Sequence, residues 1–197
     1  MPELEDRPEA WPVLEREDIW RGPAPFSVHR DQVHRPGHPE TPFGRLVLDH
    51  PGAAAILAID EDDRVLVLEQ YRHPVRRRLV ELPAGLLDEP GEDPLDAARR
   101  ELLEEGQAEA ASWQHLLSTY PSPGLSSERI EVYLARDVTH VPDRGGFEPE
   151  HEEADMVASW VPLAELVEGV LGGRLTDGPL ALALLVYERM TNPTPAS

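Results

Sequence analysis

The chain has 197 residues, enough for one domain with a hydrophobic core and a small additional segment. It carries 18 Lys and Arg against 38 Asp and Glu, a formal net charge of −20. This charge disfavours nucleic acid and anionic membranes as partners, because both require basic surface. The absence of Cys excludes disulfides, thiol nucleophiles and cysteine-bound zinc.

The start of the chain lacks the basic region and apolar core of a signal peptide. No apolar run reaches the ~18 residues of a membrane span. We therefore expect a cytoplasmic protein. Residues 1–50 form an N-terminal segment of short alternating pieces, which predicts β-structure with a strand at 45–50, and the acidic, proline-rich residues 1–12 are expected to be loose.

Residues 51–192 alternate between strand and helix patterns, and the tail at 193–197 is expected to be disordered. The unbroken apolar run at 53–59 predicts a strand buried on both faces, whereas the arginines at 76–78 suggest a solvated loop. Further strands are predicted at 64–71, 79–82, 113–120, 129–137 and 156–161. Helices are predicted at 93–106, 162–171 and 179–190. We expect an α/β fold, an α/β/α sandwich around a mixed β-sheet.

The first predicted helix has clear boundaries. Asp93 can accept hydrogen bonds from the free amides of the first turn, and Pro94 suits the first helical position. Gly106 is expected to end the helix. Its apolar stripe consists of Leu95, Ala98, Leu102 and Leu103.

A neighbouring arc of the same helix is acidic. Glu101, Glu104 and Glu105 fall within roughly 100° of one another on the helical wheel. Like charges at i and i+4 cost roughly 0.2–0.5 kcal/mol, and carboxylates are unfavourable at the C-terminal end of the helix dipole. A divalent cation such as Mg²⁺ or Mn²⁺ removes both objections. The alternative is a solvated acidic face, since clusters arise by chance in so acidic a chain.

The stretch from residue 85 to residue 108 resembles the Nudix box, the signature of the Nudix hydrolases. That pattern is Gly, five residues, Glu, seven residues, Arg-Glu, an aliphatic residue, any residue, Glu-Glu, any residue, Gly and an aliphatic residue. The charged residues that keep their places at the helical end of the box are Arg100, Glu101, Glu104 and Glu105.

The chain departs from the box at its two ends. Six residues instead of five separate Gly85 from Glu92. Gln107 stands at the place of the final glycine, with Gly106 one position early, and Ala108 is the final aliphatic residue. These departures concern the loop before the helix and the turn after it.

Nudix enzymes hydrolyse a nucleoside diphosphate linked to another group, and the resemblance implies two to three divalent ions that neutralise the pyrophosphate and orient the attacking water. Glu101 and Glu105 are implied to be catalytic as cation ligands. Arg100 is expected to pair with a box carboxylate. Glu92 is expected to contact the metal ligands without binding the cation itself. The implied metal ligands are Glu101, Glu104, Glu105 and the carbonyl of Ala84.

Features outside the box resemble the ADP-ribose pyrophosphatase branch. One is Glu69-Gln70-Tyr71-Arg72, followed by Glu81-Leu82-Pro83-Ala84-Gly85. It implies Arg72, and less strongly Arg45, as phosphate contacts. Another is the loop at 121–128, which the branch uses to shape the ribose side of the pocket. The substrate-binding residues implied there are Pro123, Gly124 and Glu128.

The late acidic loop at residues 140–153 and the N-terminal segment extend the same resemblance. The branch keeps a glutamate on the late loop as general base, which implies Glu153, with Glu152 as the alternative. In the branch the N-terminal segment is exchanged between the subunits of a homodimer. Trp20 or Phe26 from that segment could stack on the adenine.

The resemblance therefore implies metal-dependent hydrolysis of ADP-ribose, and of related ADP-sugars, to AMP and ribose 5-phosphate. A second hypothesis is a Nudix pyrophosphatase acting on another nucleotide sugar, a dinucleotide or a nucleoside triphosphate. A third is a non-catalytic protein that senses a nucleotide. The intact box glutamates argue against the third, because a sensor has no need of all three.

Overall fold

A computed structural model of the chain describes residues 4–89, 91–143 and 155–192. It divides into two compact units. The N-terminal unit comprises Met1–His50 and Ser122–Glu128, and the core unit comprises Pro51–Pro121 and Arg129–Ser197. The elements in chain order are β1 (Val13–Arg21), β2 (Ser27–Val33), β3 (Phe43–Asp49), β4 (Ala53–Ala58), β5 (Arg64–Arg72), β6 (Arg77–Glu81), β7 (Ala84–Leu86), α1 (Pro94–Glu104), β8 (Ala108–Thr119), β9 (Ile130–His140), β10 (Val157–Pro162), α2 (Leu163–Leu171) and α3 (Gly178–Thr191).

The N-terminal unit is a three-stranded antiparallel sheet in the order β1-β2-β3. Its second chain segment is attached to β3 through backbone hydrogen bonds. The amide of Leu48 donates to the carbonyl of Leu125 at 2.9 Å, and the amide of Ser127 donates to the carbonyl of Leu48 at 3.0 Å. All nine residues of β1 are exposed. The strand-rich prediction for this segment is confirmed.

Strands of the core unit form two sheets. The larger has the order β7-β4-β9-β8, in which β4 and β9 are parallel and the other neighbours are antiparallel. The smaller is antiparallel, with the order β10-β5-β6. The mixed sheet expected from the sequence is confirmed.

Strand β4 lies at the centre of the core unit, and all six of its residues are buried. Alternate side chains point to opposite faces of a strand, so β4 contributes to two apolar layers. One face carries Ala54, Ile56 and Ala58 and packs on α1. The other carries Ala55 and Leu57 and packs on α2 and α3. Helices therefore cover both faces of the sheet, which confirms the α/β/α sandwich.

Several strands depart from the sequence prediction, three of them in ways that bear on the site. β7 was not predicted, because a three-residue strand is too short to show a pattern. β8 begins at Ala108 and not at residue 113, so it follows α1 almost directly. β6 begins at Arg77, inside the run of arginines interpreted as a solvated loop. β6 is an edge strand, and edge strands tolerate and even favour charged side chains.

Helix α1 begins as the sequence predicts. The carboxylate of Asp93 accepts a hydrogen bond from the amide of Leu95 at 2.8 Å, and Pro94 follows at the first helical position. None of the helices in the described ranges combines the length and hydropathy needed to cross a membrane.

The end of α1 differs from the prediction. Gln107, not Gly106, adopts the left-handed conformation, with φ of +48°. This is the position at which the Nudix box has its final glycine. Gly106 is required for another reason: a Cβ there would lie 2.6 Å from both the carbonyl oxygen of Leu102 and the Cδ2 of Leu66.

Candidate active site

Glu101 and Glu105 lie on the buried side of α1, and each residue is only 8% exposed. They are separated by four residues, so their side chains leave the helix on the same face, one turn apart. The small side chain of Ala97, one turn earlier, is fully buried. A solvated acidic face is therefore excluded for these two glutamates. Burying a carboxylate costs free energy unless its oxygens accept hydrogen bonds or form ion pairs. The groups that contact these oxygens therefore define the site.

The partners come from residues 84–85, the first two residues of strand β7. The amide of Ala84 donates to Oε2 of Glu105 at 2.9 Å. Gly85 lies directly against Glu101, since a Cβ at residue 85 would be 1.9 Å from Oε1 of that glutamate. Only glycine leaves this space. The first glycine of the box is thus explained by contact with a box carboxylate.

Pairing with the central strand holds this segment in place. Ala84 and Gly85 are opposite Ala55 and Ala54 in the antiparallel ladder of β7 and β4. The most buried strand of the core therefore supports the backbone against which the two carboxylates rest.

Arg100 links three box carboxylates. Its guanidinium donates to Glu92 at 3.2 and 3.3 Å, to Glu101 at 2.5 Å and to Glu104 at 3.2 Å. The hydrogen bond to Glu92, with the neighbouring negative charges, raises the pKa of Arg100. The predicted pairing of Arg100 with box carboxylates is confirmed. The additional loop residue does not displace Glu92 from the cluster.

The donors at this site suit a hard divalent cation. Among the described residues, no group of three or more Asp, Glu or His side chains could hold a metal ion by itself. Mg²⁺ commonly uses only one or two protein carboxylates and completes its shell with water and substrate phosphate. Glu101 and Glu105 supply two carboxylates, next to the backbone of Ala84 and Gly85. Glu104 is half-buried and directed to Arg100.

Arg72, the predicted phosphate contact, lies at the end of β5 and is bound to Glu81. Its Nε and Nη2 donate to the two carboxylate oxygens of Glu81 at 2.6 to 3.1 Å. This hydrogen bonding raises the pKa of Arg72, and the charge of Glu105 adds to the effect. The positive charge of Arg72 therefore interacts with the carboxylate of Glu105. Its Nε and Nη2 donate to Glu81, a buried residue to which the sequence assigned no role.

Asp177 is a second residue that sequence reasoning missed. It caps α3, where its carboxylate accepts from the amide of Leu180 at 2.8 Å. Burial raises the pKa of Asp177 to about 6, and the charge of Glu81 adds to this, whereas the backbone bonds and Arg72 oppose it. The signal was present in the sequence, because Asp-Gly-Pro at 177–179 has the form of a helix start.

The other implied substrate contacts belong to the N-terminal unit. Arg45 is exposed, with its guanidinium carbon 4.3 Å from the centroid of the Phe43 ring. Pro123 and Gly124 are exposed. The carboxylate of Glu128 lies 3.9 Å from the imidazole of His50.

The two candidate aromatic residues of this unit contact each other. The ring centroids of Trp20 and Phe26 are 5.7 Å apart. The candidate bases Glu152 and Glu153 lie outside the described residues. The structure thus brings together the box carboxylates and Ala84, and the other assignments stay predictions.

Comparison with known proteins places this site in a family. The NUDIX domain matches residues 49–180, and the chain belongs to the Nudix family. It is 42% identical over 166 residues to "ADP-ribose pyrophosphatase" of Mycobacterium tuberculosis, which covers 84% of this chain and 78% of that protein. It is 35% identical over 140 residues to "Methanol dehydrogenase activator" of Bacillus methanolicus, with 71% and 74% coverage.

A solved structure supports the fold independently. "Crystal structure of ADP compounds hydrolase" matches 96% of this chain and 100% of its own, with a TM-score of 0.74 and 19% sequence identity. At that identity the match shows the fold alone. The family predicted from the box motif is confirmed.

We predict that Asp177→Asn raises the stability of the folded chain at pH 7.5 and has less effect near pH 4. The pKa of Asp177 is raised on folding, so the folded state binds more protons than the unfolded state between about pH 4 and 6, and stability falls as pH rises through that range. Asparagine keeps the cap and removes the charge. Melting temperatures of both forms across this range test the prediction; a constant difference would contradict it.

Proposed function

We propose that this Nudix chain hydrolyses the pyrophosphate bond of ADP-ribose, and of related ADP-sugars, to give AMP and ribose 5-phosphate. The observation that carries the proposal is the buried pair Glu101 and Glu105, which rests on Ala84 and Gly85. The similar protein of Mycobacterium tuberculosis is named for this activity. A pyrophosphatase needs such a cation site beside the phosphates, and a structural helix does not.

Divalent metal dependence is general in the family, and here we propose Mg²⁺ or Mn²⁺, two to three ions per site. When bound, the ions neutralise the pyrophosphate and lower the pKa of the attacking water. The ligands we propose are Glu101, Glu104, Glu105 and the carbonyl of Ala84.

The residues around these ligands position them and the substrate. Arg100 fixes the rotamer of Glu101 through its 2.5 Å hydrogen bond. The amide of Ala84 fixes one oxygen of Glu105. We propose that Arg72 contacts the phosphates and is oriented for this by Glu81. The substrate contacts proposed from the N-terminal unit are Arg45, Pro123, Gly124 and Glu128.

A substrate panel tests the specificity. ADP-ribose, ADP-glucose, GDP-mannose, diadenosine polyphosphates and ATP would be compared at equal concentration with Mg²⁺ and with Mn²⁺, and the products separated by anion exchange. We expect the highest kcat/KM for ADP-ribose. A higher value for another nucleotide sugar would support the second hypothesis, and hydrolysis of none of them would overturn enzymatic function of this class.

We predict that Glu101→Gln and Glu105→Gln each lower kcat by at least ~10²-fold, because each removes a charged ligand from the reacting centre. Glu92→Gln is expected to do less, since Glu92 acts through Arg100. Glu168→Gln on α2 is the control for the loss of one carboxylate. Initial rates at saturating ADP-ribose measure the effect. A neutral Glu105 variant with a severely impaired Glu92 variant would show that the ligands are misassigned.

We propose Glu153 as the general base, because carboxylates bound to a cation are poor proton acceptors and the late loop is the other dense set of carboxylates in the sequence. Glu153→Gln is expected to lower kcat by about 10²–10⁴-fold with little change in KM. Glu152→Gln is the matched control, one residue away. If the Glu152 variant is the inactive one, the role moves to that residue. If both keep normal kcat, the base lies elsewhere.

We also propose a cytoplasmic homodimer in which the N-terminal unit contacts the partner. Strand β1 exposes several large apolar residues, each more than two-fifths accessible: Val13, Leu14, Ile19 and Trp20. Exposed apolar patches commonly mark protein interfaces. Ile19→Glu is expected to shift the mass measured by light scattering at micromolar concentration from dimer to monomer. Leu171→Glu on α2, an equally drastic change at an exposed residue, is expected to leave the dimer intact. A monomeric wild-type chain would contradict the proposal.

A further inference from the structure

The turn between β5 and β6 concentrates positive charge. Residues 72–78 read Arg-His-Pro-Val-Arg-Arg-Arg and contain no acidic residue, in a chain with only 18 Lys and Arg and a net charge of −20. An anionic substrate is repelled by the chain as a whole, so a local reversal of charge next to the site has a direct effect on its approach.

Two of the four arginines have partners, and the other two have none among the residues that the structure describes. Arg72 is held by Glu81. Arg78 donates through Nη1 to the carbonyls of Glu69 and Asp155, at 3.2 and 3.1 Å. Arg76 and Arg77 are exposed, and within residues 4–89, 91–143 and 155–192 their side chains have neither an ion pair nor a hydrogen bond.

Both of these arginines stand where the fold favours another residue. Arg77 is directly opposite Arg72 in the antiparallel pair of β5 and β6, and like charges in this arrangement are destabilising. Arg76 has φ of +53°, a conformation that favours glycine or asparagine. Local violations of this kind without a structural compensation are typical of functional positions.

The register places Arg77 beside the candidate site. Cross-strand partners project from the same face of a sheet, and alternate residues of one strand share a face. Arg77 therefore projects on the same face as Arg72 and Glu81. Arg72 in turn interacts with the charge of Glu105. Arg77 is thus directly across the strand pair from Arg72, the arginine that interacts with the charge of Glu105.

We propose that Arg77, assisted by Arg76, binds the phosphates of incoming nucleoside diphosphate derivatives and delivers them to Arg72. This inference rests on the proposed function. Glu81 accepts from Nε and Nη2 of Arg72, whereas no donor of the Arg77 guanidinium has a partner in the part of the chain that the structure describes. The same anion relieves the repulsion between Arg72 and Arg77. Recognition depends on charge, so neutral nucleosides gain nothing from it.

The experiment compares Arg77→Gln, Arg76→Gln and Arg77→Lys with wild type in hydrolysis of ADP-ribose at 50 and 300 mM NaCl. We expect Arg77→Gln to raise KM roughly 3-fold to 10-fold at low salt with kcat nearly unchanged, and Arg76→Gln to have a smaller effect. Salt should reduce the difference from wild type, because it screens exposed charges. Arg77→Lys should recover most of the affinity. Arg189→Gln, an exposed arginine in the last turn of α3 and about 18 Å along that helix from Asp177, is the control.

A second measurement separates charge recognition from structural damage. Inhibition by AMP, which is anionic, should weaken in Arg77→Gln, whereas inhibition by adenosine should not change. The variant should also melt at the same or a higher temperature than wild type, since a repulsive pair is removed. Unchanged KM and AMP inhibition in Arg77→Gln, or equal losses for AMP and adenosine, would overturn the inference. Failure of the wild type to cleave ADP-ribose would instead overturn the proposed function.

Discussion

The close approach of two buried carboxylates to one short backbone segment is the constraint on which the site depends. Glu101 lies where any side chain at residue 85 would be, and Glu105 accepts the amide of Ala84. The segment is fixed by its ladder with β4, whose residues are buried on both faces. The apolar core thus determines the position of the charged groups, and displacement of β4 or α1 would separate them.

This arrangement lowers the stability of the fold, and we attribute its presence to function. Burying a carboxylate is costly, and a pair of like charges one helical turn apart adds repulsion. Arg100 and the amide of Ala84 offset part of this cost. A helix selected for stability alone would carry apolar side chains at both positions. The same imbalance recurs at Arg72 and Arg77, where like charges are opposed on two strands. We propose that a divalent cation neutralises the first of these concentrations of charge and a phosphate the second.

Local sequence signals predicted the elements well where one side chain decides the structure. Asp93 and Pro94 fixed the start of α1, and the apolar run of β4 predicted a strand buried on both faces. Prediction failed where the deciding partner is distant in sequence. The buried state of Glu101 depends on Gly85, and the partner of Arg72 depends on strand register, so neither follows from a helical wheel or a motif. The choice of Glu101 and Glu105 as cation ligands stays a prediction, and Glu81, the partner of Arg72, was missed. Asp177 was missed although its local sequence has the form of a helix start.

Titration of Mn²⁺ into the metal-free chain by isothermal calorimetry tests the central claim most directly, because it asks whether the buried carboxylates hold a cation, independently of substrate. Wild type and Glu105→Gln would be compared at the same pH, with circular dichroism to verify that both are folded. The account predicts a saturable binding heat for wild type that is lost or weakened by at least ~10-fold in the variant. Equal binding by both forms, or none by wild type, would contradict it.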